Sequence, residues 1–412
     1  MLITNIKALV GVHPKEKLVL RGSEMANLPI LENAWLLLEN GLIKDFGSMA
    51  NLQTQSSKLQ TISAKGKFIF PSWCDSHTHI VFAASREEEF VMKIAGKTYE
   101  EIAAAGGGIL NSANKVAKAS EDSLFESASS RIQDMIRQGT GAIEIKSGYG
   151  LSVESELKML RVIKRLKNAF PISIKSTLLA AHAYPQDYKN NHQGYIDLIV
   201  KEMLPAVAEQ KLADYIDVFC ERGFFSVEET DQILSAAANY GLKPKIHANQ
   251  LSVSGGVQVG VKHGAISVDH LEETDNEALE SLAKSTTIAT LLPSCSFYLN
   301  IPFANARGLI NSNAAVALAT DYNPGSTPSG NMNFVVSLAC IKAKMTPEEA
   351  INAATLNGAA AMELSTEIGS IAIGKRANLF ITREMPSLAY LPYSFGQTQV
   401  ETVILNGEIY NG

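Results

Sequence analysis

Cysteine is scarce in this chain: four in 412 residues, at 74, 220, 295 and 340, with no CxxC pair. That excludes a disulfide framework and a closed thiolate-bound zinc, and it predicts reduced, buried thiols. An excess of positive charge is missing as well. Thirty-six Lys and Arg stand against 42 Asp and Glu, a formal net charge of −6 with no cationic stretch. No nucleic-acid partner is therefore expected, and a small neutral or acidic molecule suits the chain better. No uninterrupted run of about 18 apolar residues occurs, which excludes a membrane-spanning helix. The opening MLITNIKALVGVHP alternates apolar and polar residues and lacks the apolar core of a signal segment, so the expectation is a cytoplasmic protein without a membrane partner. Phosphate-loop spacing is absent too: Gly106-Gly107-Gly108 has no GxGxxG or GxxxxGK around it and reads as a flexible βα loop.

What is present is apolar residues, 46% of the chain against 19% charged, enough for one large barrel or two domains. Residues 1–62 read as β throughout: LITNIKALVGV, KLVLRG and AWLLLENGLIKDFG are strand-like, with a hairpin turn at Asn40-Gly41. The C-terminal end repeats this style in GSIAIGKRANLFITRE and VETVILNGEIY, with a second turn at Asn406-Gly407. Between the two ends, strands alternate with helices. Capping boxes stand at Ser226 to Glu229, Thr274 to Glu277 and Thr346 to Glu349, the last with Pro347 at the first helical position. Gly139 and Gly241 follow helical runs, where a left-handed residue closes a helix. Eight strand candidates follow in order: KFIFPSWCDSH, GAIEIKS, SIKSTLLAAH, YIDVFCE, KPKIHA, AISVDH, TIATLLPS and AAVALATD. The expected fold is α/β: a TIM-like (β/α)8 barrel over 63–365, with a small β-sandwich domain built from 1–62 and 366–412. A doubly wound open sheet is the rival, but its switch point gathers polar residues from fewer strands.

Polar residues fall at the strand ends, where such a barrel keeps its active site. His77 and His79 close the first strand. Side chains two apart on a strand share a face, so both imidazoles point at one centre, although eight histidines in 412 residues also produce such a pair by chance. His247 ends the fifth strand and Asp321 the eighth. Each has a structural alternative, a satisfied core histidine and a cap before Asn323-Pro324-Gly325. Together the four make a ligand set of three imidazoles and one carboxylate, suited to zinc or iron with one position open for water.

These residues resemble the amidohydrolase superfamily, with HTH after strand one, His at strands five and six, and Asp at strand eight. Within it the chain is similar to the imidazolonepropionase family, through IKSGYGL (145–151), LAAHA (179–183), FCERGFFS (219–226), HANQL (247–251) and DYNPGS (321–326). The resemblance implies metal ligation by His77, His79, His247 and Asp321. It implies substrate contacts from Arg86, Tyr149, His182, Gln250, Asn323, Gly325 and Ser326, with His270 beside the reacting carbonyl. The implied reaction hydrolyses the ring amide of 4-imidazolone-5-propanoate to N-formimidoyl-L-glutamate in L-histidine degradation, with zinc or iron, in the cytoplasm, by a homodimer. No lysine closes strand four to bridge two metals, so one ion per subunit is expected. In that chemistry Asp321 moves a proton and His270 stabilises developing negative charge, while the planar fork of Arg86 binds the propionate carboxylate.

Two positions depart from the family pattern. Ala84 in HIVFAASR stands where glycine usually precedes the arginine, and Gln250 stands where some members carry glutamate, which makes it an orienting hydrogen-bond partner. Structural alternatives accompany the roles: an ion pair of Arg86 with Glu87, Glu88 or Glu89, packing of Tyr149 on Leu151, and a capped strand end at His182. Glu221 is the nearest rival ligand, with a salt bridge to Arg222 or a hydrogen bond behind the metal as its other reading. His13, His192 and His263 lie off the strand ends and read as surface or structural. The rival functions are another mononuclear amidohydrolase, such as a purine or pyrimidine deaminase, and a non-catalytic scaffold on the same barrel. An uncharged base has little use for Arg86 with Tyr149, and scaffolds usually lack ligands.

Overall fold

The structure, a computed structural model, describes residues 1–52, 59–97, 101 and 107–412. The N-terminal part supplies β1 (Leu2–Val10), β2 (Ile30–Glu39), β3 (Leu42–Ser48), β4 (Thr61–Ser63) and β5 (Lys67–Pro71). The hairpin between β2 and β3 turns at Asn40 and Gly41, both at positive φ, as Asn-Gly predicts. Eight strands then follow singly between helices: β6 (Trp73–Thr78), β7 (Thr140–Lys146), β8 (Ser173–Ala181), β9 (Tyr215–Cys220), β10 (Lys243–Ala248), β11 (Ser267–His270), β12 (Ile288–Leu291) and β13 (Ala315–Leu318). The C-terminal part adds β14 (Leu379–Glu384), β15 (Val400–Leu405) and β16 (Glu408–Ile409).

Strands β6 to β13 pair in parallel with their sequence neighbours and are buried along their whole length except at a few starting residues, as strands covered on both faces must be. This is the expected (β/α)8 barrel. It closes just beyond the last strand. The Asp321 N–H donates to His77 O at 3.0 Å and the His79 N–H to Tyr322 O at 2.9 Å, so the seam of the barrel draws three of the four expected ligands together. The strands from the two chain ends form a separate sheet in the order β16-β15-β14-β5-β1-β2-β3, with β4 beside β1. Its buried face carries Ile3, Leu36, Ile69, Leu379 and Ile404. No described helix is long and apolar enough to cross a membrane.

Several local expectations are corrected. KFIFPSWCDSH is two strands, because the chain changes sheets at Ser72: its N–H donates to Asn378 O at 2.9 Å, whereas the Trp73 N–H donates to Gly139 O at 2.9 Å. KLVLRG is not a strand. The Asn357 side chain takes both main-chain groups of Leu20, accepting from its N–H at 2.8 Å and donating to its carbonyl at 2.9 Å, and so replaces a strand partner. In GSIAIGKRANLFITRE the strand begins only at Leu379, since Gly369 and Gly374 at positive φ turn the chain first. The boxes at Ser226 and Thr346 form, but Asp275 caps the helix Asn276–Ala283 in place of Thr274, whose hydroxyl is spent on Leu271 O at 2.7 Å. Gly139 and Gly241 take the left-handed conformation after their helices. Gly107 and Gly108 open the helix Gly108–Lys118, while Gly106 lies outside the described residues.

Candidate metal centre

Alternation along and just past β6 points His77 and His79 to the barrel mouth, where the end of β10 across the barrel brings His247 and the segment after β13, beside β6 at the seam, brings Asp321. The two Nε2 atoms of His77 and His79 are 3.3 Å apart, and Asp321 Oδ1 lies 3.6 Å from the first and 3.5 Å from the second. His77, His79 and His247 place one ligand nitrogen each within 4.8 Å of one another, as do His77, His270 and Asp321 with their ligand atoms. All are buried. Burial, with Lys146 and the neighbouring histidines adding to it, holds the His77 imidazole well below its ordinary pKa, and burial with His247 does the same for His79. Both rings are thus neutral, the form that ligates a metal.

Carboxylates behind the rings fix their orientation. His77 Nδ1 meets Asp269 Oδ2 at 2.7 Å and His247 Nδ1 meets both oxygens of Asp217 at 3.0 Å. With Nδ1–H spent on a carboxylate, the Nε2 lone pair of each ring is directed to the shared centre. Lys146 ties the two acids together: its ammonium lies 2.8 Å from Asp217, 3.5 Å from Asp269 and 2.6 Å from Glu144. Lys245 pairs with the other oxygen of Glu144. Burial opposes the Lys146 charge, but Asp217, Glu144 and Asp269 outweigh it and push its pKa up. Three buried carboxylates against two ammoniums, with Asp321 above them, leave negative charge facing the imidazole cluster. That donor set fits a divalent zinc or iron ion.

A cavity of about 480 Å³ opens beside the cluster. Arg86, Tyr149, His182, Gln250, Asn323, Gly325 and Ser326 line it together with His79, His247, His270 and Asp321; His77 sits beneath. Residues at the strand ends take left-handed backbone without being glycine: Asn249 (φ +55°), His270 (φ +87°), Leu271 (φ +66°) and Asp321 (φ +57°). Strain of this kind persists where surrounding structure over-determines it, as at sites that aim side chains.

Arg86 does pair with Glu89, as one structural alternative expected, but away from the surface. Its Nε donates to Ser112 Oγ at 2.9 Å, Glu89 is 3.8 Å away, the guanidinium lies over the Tyr149 ring at 5.7 Å, and Nη2 is buried without a partner among the described residues. Gly325 lets it in, since a Cβ there would stand 2.4 Å from Arg86 Nη1. His182 contacts Gly148 O through Nδ1 at 2.9 Å, which leaves Nε2 for the cavity, and burial followed by His247 lowers it to about 3. Asn323 is occupied by its own loop: Oδ1 accepts from the N–H groups of Gly325 and Ser326 and Nδ2 donates to Asp321 O and Ser326 Oγ. The Ser326 hydroxyl donates to Asp321 Oδ2 at 3.2 Å. Gln250 Nε2 contacts Cys295 Sγ at 3.6 Å.

Glu221 stands apart from the cluster, its carboxylate accepting from the N–H groups of Arg222, Leu251 and Ser252 and from the Ser252 hydroxyl. His13 bonds Asn352, His192 faces Glu229 and His263 bonds Asp231, all remote from the mouth. Sequence reasoning assigned no role to Asp217, Lys245, Asp269 or Glu272. The available signal was charge at alternate positions inside apolar strands, as in Glu144 with Lys146 and Lys245 with His247.

The amidohydrolase family profile matches residues 68–410. The chain is 54% identical to an imidazolonepropionase of Christiangramia forsetii over 99% of both chains, and 56% identical to one of Flavobacterium johnsoniae over the same shares. In three dimensions it is similar to an adenosine deaminase from Xanthomonas campestris with bound zinc, at a TM-score of 0.69 and 17% identity, covering 99% of this chain and 92% of that one.

Proposed function

The chain belongs to the amidohydrolase family, a family of metal-dependent hydrolases, and from that premise we propose that it opens the ring amide of 4-imidazolone-5-propanoate to N-formimidoyl-L-glutamate in L-histidine degradation. The observation that carries the reading is the pairing, in one cavity, of a largely buried guanidinium, whose Nη2 has no hydrogen-bond partner among the described residues, and a His/Asp cluster, matching a substrate with a carboxylate at one end and a cyclic amide at the other. The proposal includes one zinc or iron ion per subunit, held by His77, His79, His247 and Asp321, a cytoplasmic location and a homodimer.

When bound, such an ion acidifies a water toward a pKa of about 7 and polarises the carbonyl. Arg86 holds the propionate carboxylate, with Tyr149 beneath its guanidinium, and sets the ring against the cluster. Asp321 takes a proton from the attacking water at Oδ2, the oxygen that Ser326 steadies, and passes it to the departing ring nitrogen. The water oxygen joins the carbonyl carbon, the C–N bond breaks, and the nitrogen leaves as part of the formimidoyl group. Burial disfavours a charged His270, but Glu272 and then Asp321 and Asp269 outweigh it and raise its pKa; its ring donates a hydrogen bond to the developing oxyanion. His182 and Gln250 orient the ring through Nε2 and the amide.

The test is spectroscopic loss of 4-imidazolone-5-propanoate on addition of purified protein, corrected for that compound's own decay, beside guanine and cytosine. Acceleration with the imidazolone alone is expected; deamination of a base without imidazolone turnover would overturn the reading.

A further inference from the structure

At the end of β11 the chain turns through two consecutive left-handed residues, His270 and Leu271. Neither is glycine, so the turn is strained and is held by what it brings together. It brings Glu272 back to His270: Glu272 Oε2 lies 3.5 Å from His270 Nδ1, with their side chains 1% and 3% exposed. Neither atom has a hydrogen-bond partner among the described residues. The other carboxylate oxygen, Oε1, accepts from the Ser296 hydroxyl at 2.9 Å, a group on the helix Pro293–Leu299. A buried nitrogen and a buried carboxylate oxygen that face each other are costly apart, and a small closing movement satisfies both.

We propose that Glu272 is the positioning residue of His270, accepting a hydrogen bond from Nδ1 so that Nε2 points to the reacting carbonyl. The inference rests on the role given to His270 above. Its logic is that of a third carboxylate–imidazole pairing beside those of Asp269 with His77 and Asp217 with His247, here serving a ring that meets substrate instead of metal. Ser296 fixes the carboxylate, and the strained turn fixes the ring. Cys295 places its sulfur within 4.8 Å of the same two groups, so a cation held by His270, Glu272 and Cys295 is the competing arrangement.

Glu272→Gln in the full-length, metal-loaded protein tests this, because it keeps the shape and removes the carboxylate. Bound metal per subunit and thermal midpoint should match the wild type, with KM within about twofold and kcat lower by about 10- to 100-fold, part of what a general acid or base supplies. In a His270→Asn background the same change should cost no more than about twofold, since groups acting as a unit are non-additive. Without any turnover, 15N-histidine-labelled wild type should show a downfield imidazole N–H resonance that is lost in His270→Asn and shifted in Glu272→Gln. That signal in a protein inactive on the imidazolone would refute the activity and leave the pairing standing. An unmoved resonance, an undiminished effect in the His270→Asn background, or loss of bound metal in Glu272→Gln would overturn the positioning role.

Discussion

Arg86 shows what one residue type contributes to this site. Its Nε is committed to Ser112 and its Nη2 has no hydrogen-bond partner among the described residues, so under the proposed function the residue acts as a fork with one tine anchored. Lysine reaches the same region with a single charge and no planar pair of donors. Arg86→Lys should therefore raise KM about 10- to 100-fold, the worth of about 1.5–3 kcal/mol for a charge-assisted bond, with kcat little changed. Steady-state kinetics check it; an unchanged KM would remove Arg86 from carboxylate binding. That His77, His79, His247 and Asp321 gather at the barrel mouth was legible because ligand-type residues at strand ends are visible in residue type, whereas Arg86, on the loop after the first strand, stood out only through the family resemblance. Glu272, Asp217 and Asp269 were not legible, because their roles depend on which imidazole the folded barrel sets against them.

At the scale of elements, all eight barrel strands were legible as short apolar runs ending in polar residues, and the Asn-Gly hairpins and two of three capping boxes as local chemistry. What failed did so where a distant side chain replaced a local rule. KLVLRG has strand composition, yet Asn357, more than 300 residues on, binds both main-chain groups of Leu20 and also donates to Val316 O on β13 at 2.8 Å. One amide thereby ties the N-terminal segment to the barrel wall two residues before the end of β13. Asn357→Ala leaves those buried groups without partners and should destabilise the fold by about 3 kcal/mol. Thermal or denaturant unfolding measures this, and a loss under about 0.5 kcal/mol would mean that the tie contributes nothing. The split of the first strand at Ser72 was likewise invisible, because β5 and β6 differ in their partners and not in their composition.

The whole molecule is organised around charge buried beneath one site. Its formal net charge of −6 is mild, but under the imidazoles Glu144, Asp217 and Asp269 face Lys146 and Lys245 with no exposure at all. Replacing such a network with apolar side chains is often neutral for stability, so its presence asks for a reason beyond holding the barrel. The orientation of His77 and His247, and the negative charge left for a cation, supply one. A cation bound only by the folded state also stabilises it by mass action, which couples the centre to the whole barrel. The most direct measurement is a titration of metal into chelator-stripped protein, following turnover of 4-imidazolone-5-propanoate and bound metal on the same sample. No turnover in metal-free protein and a linear rise that levels at one zinc or iron per subunit are expected. Full turnover in metal-free protein, or a rise that levels only at two ions, would contradict this.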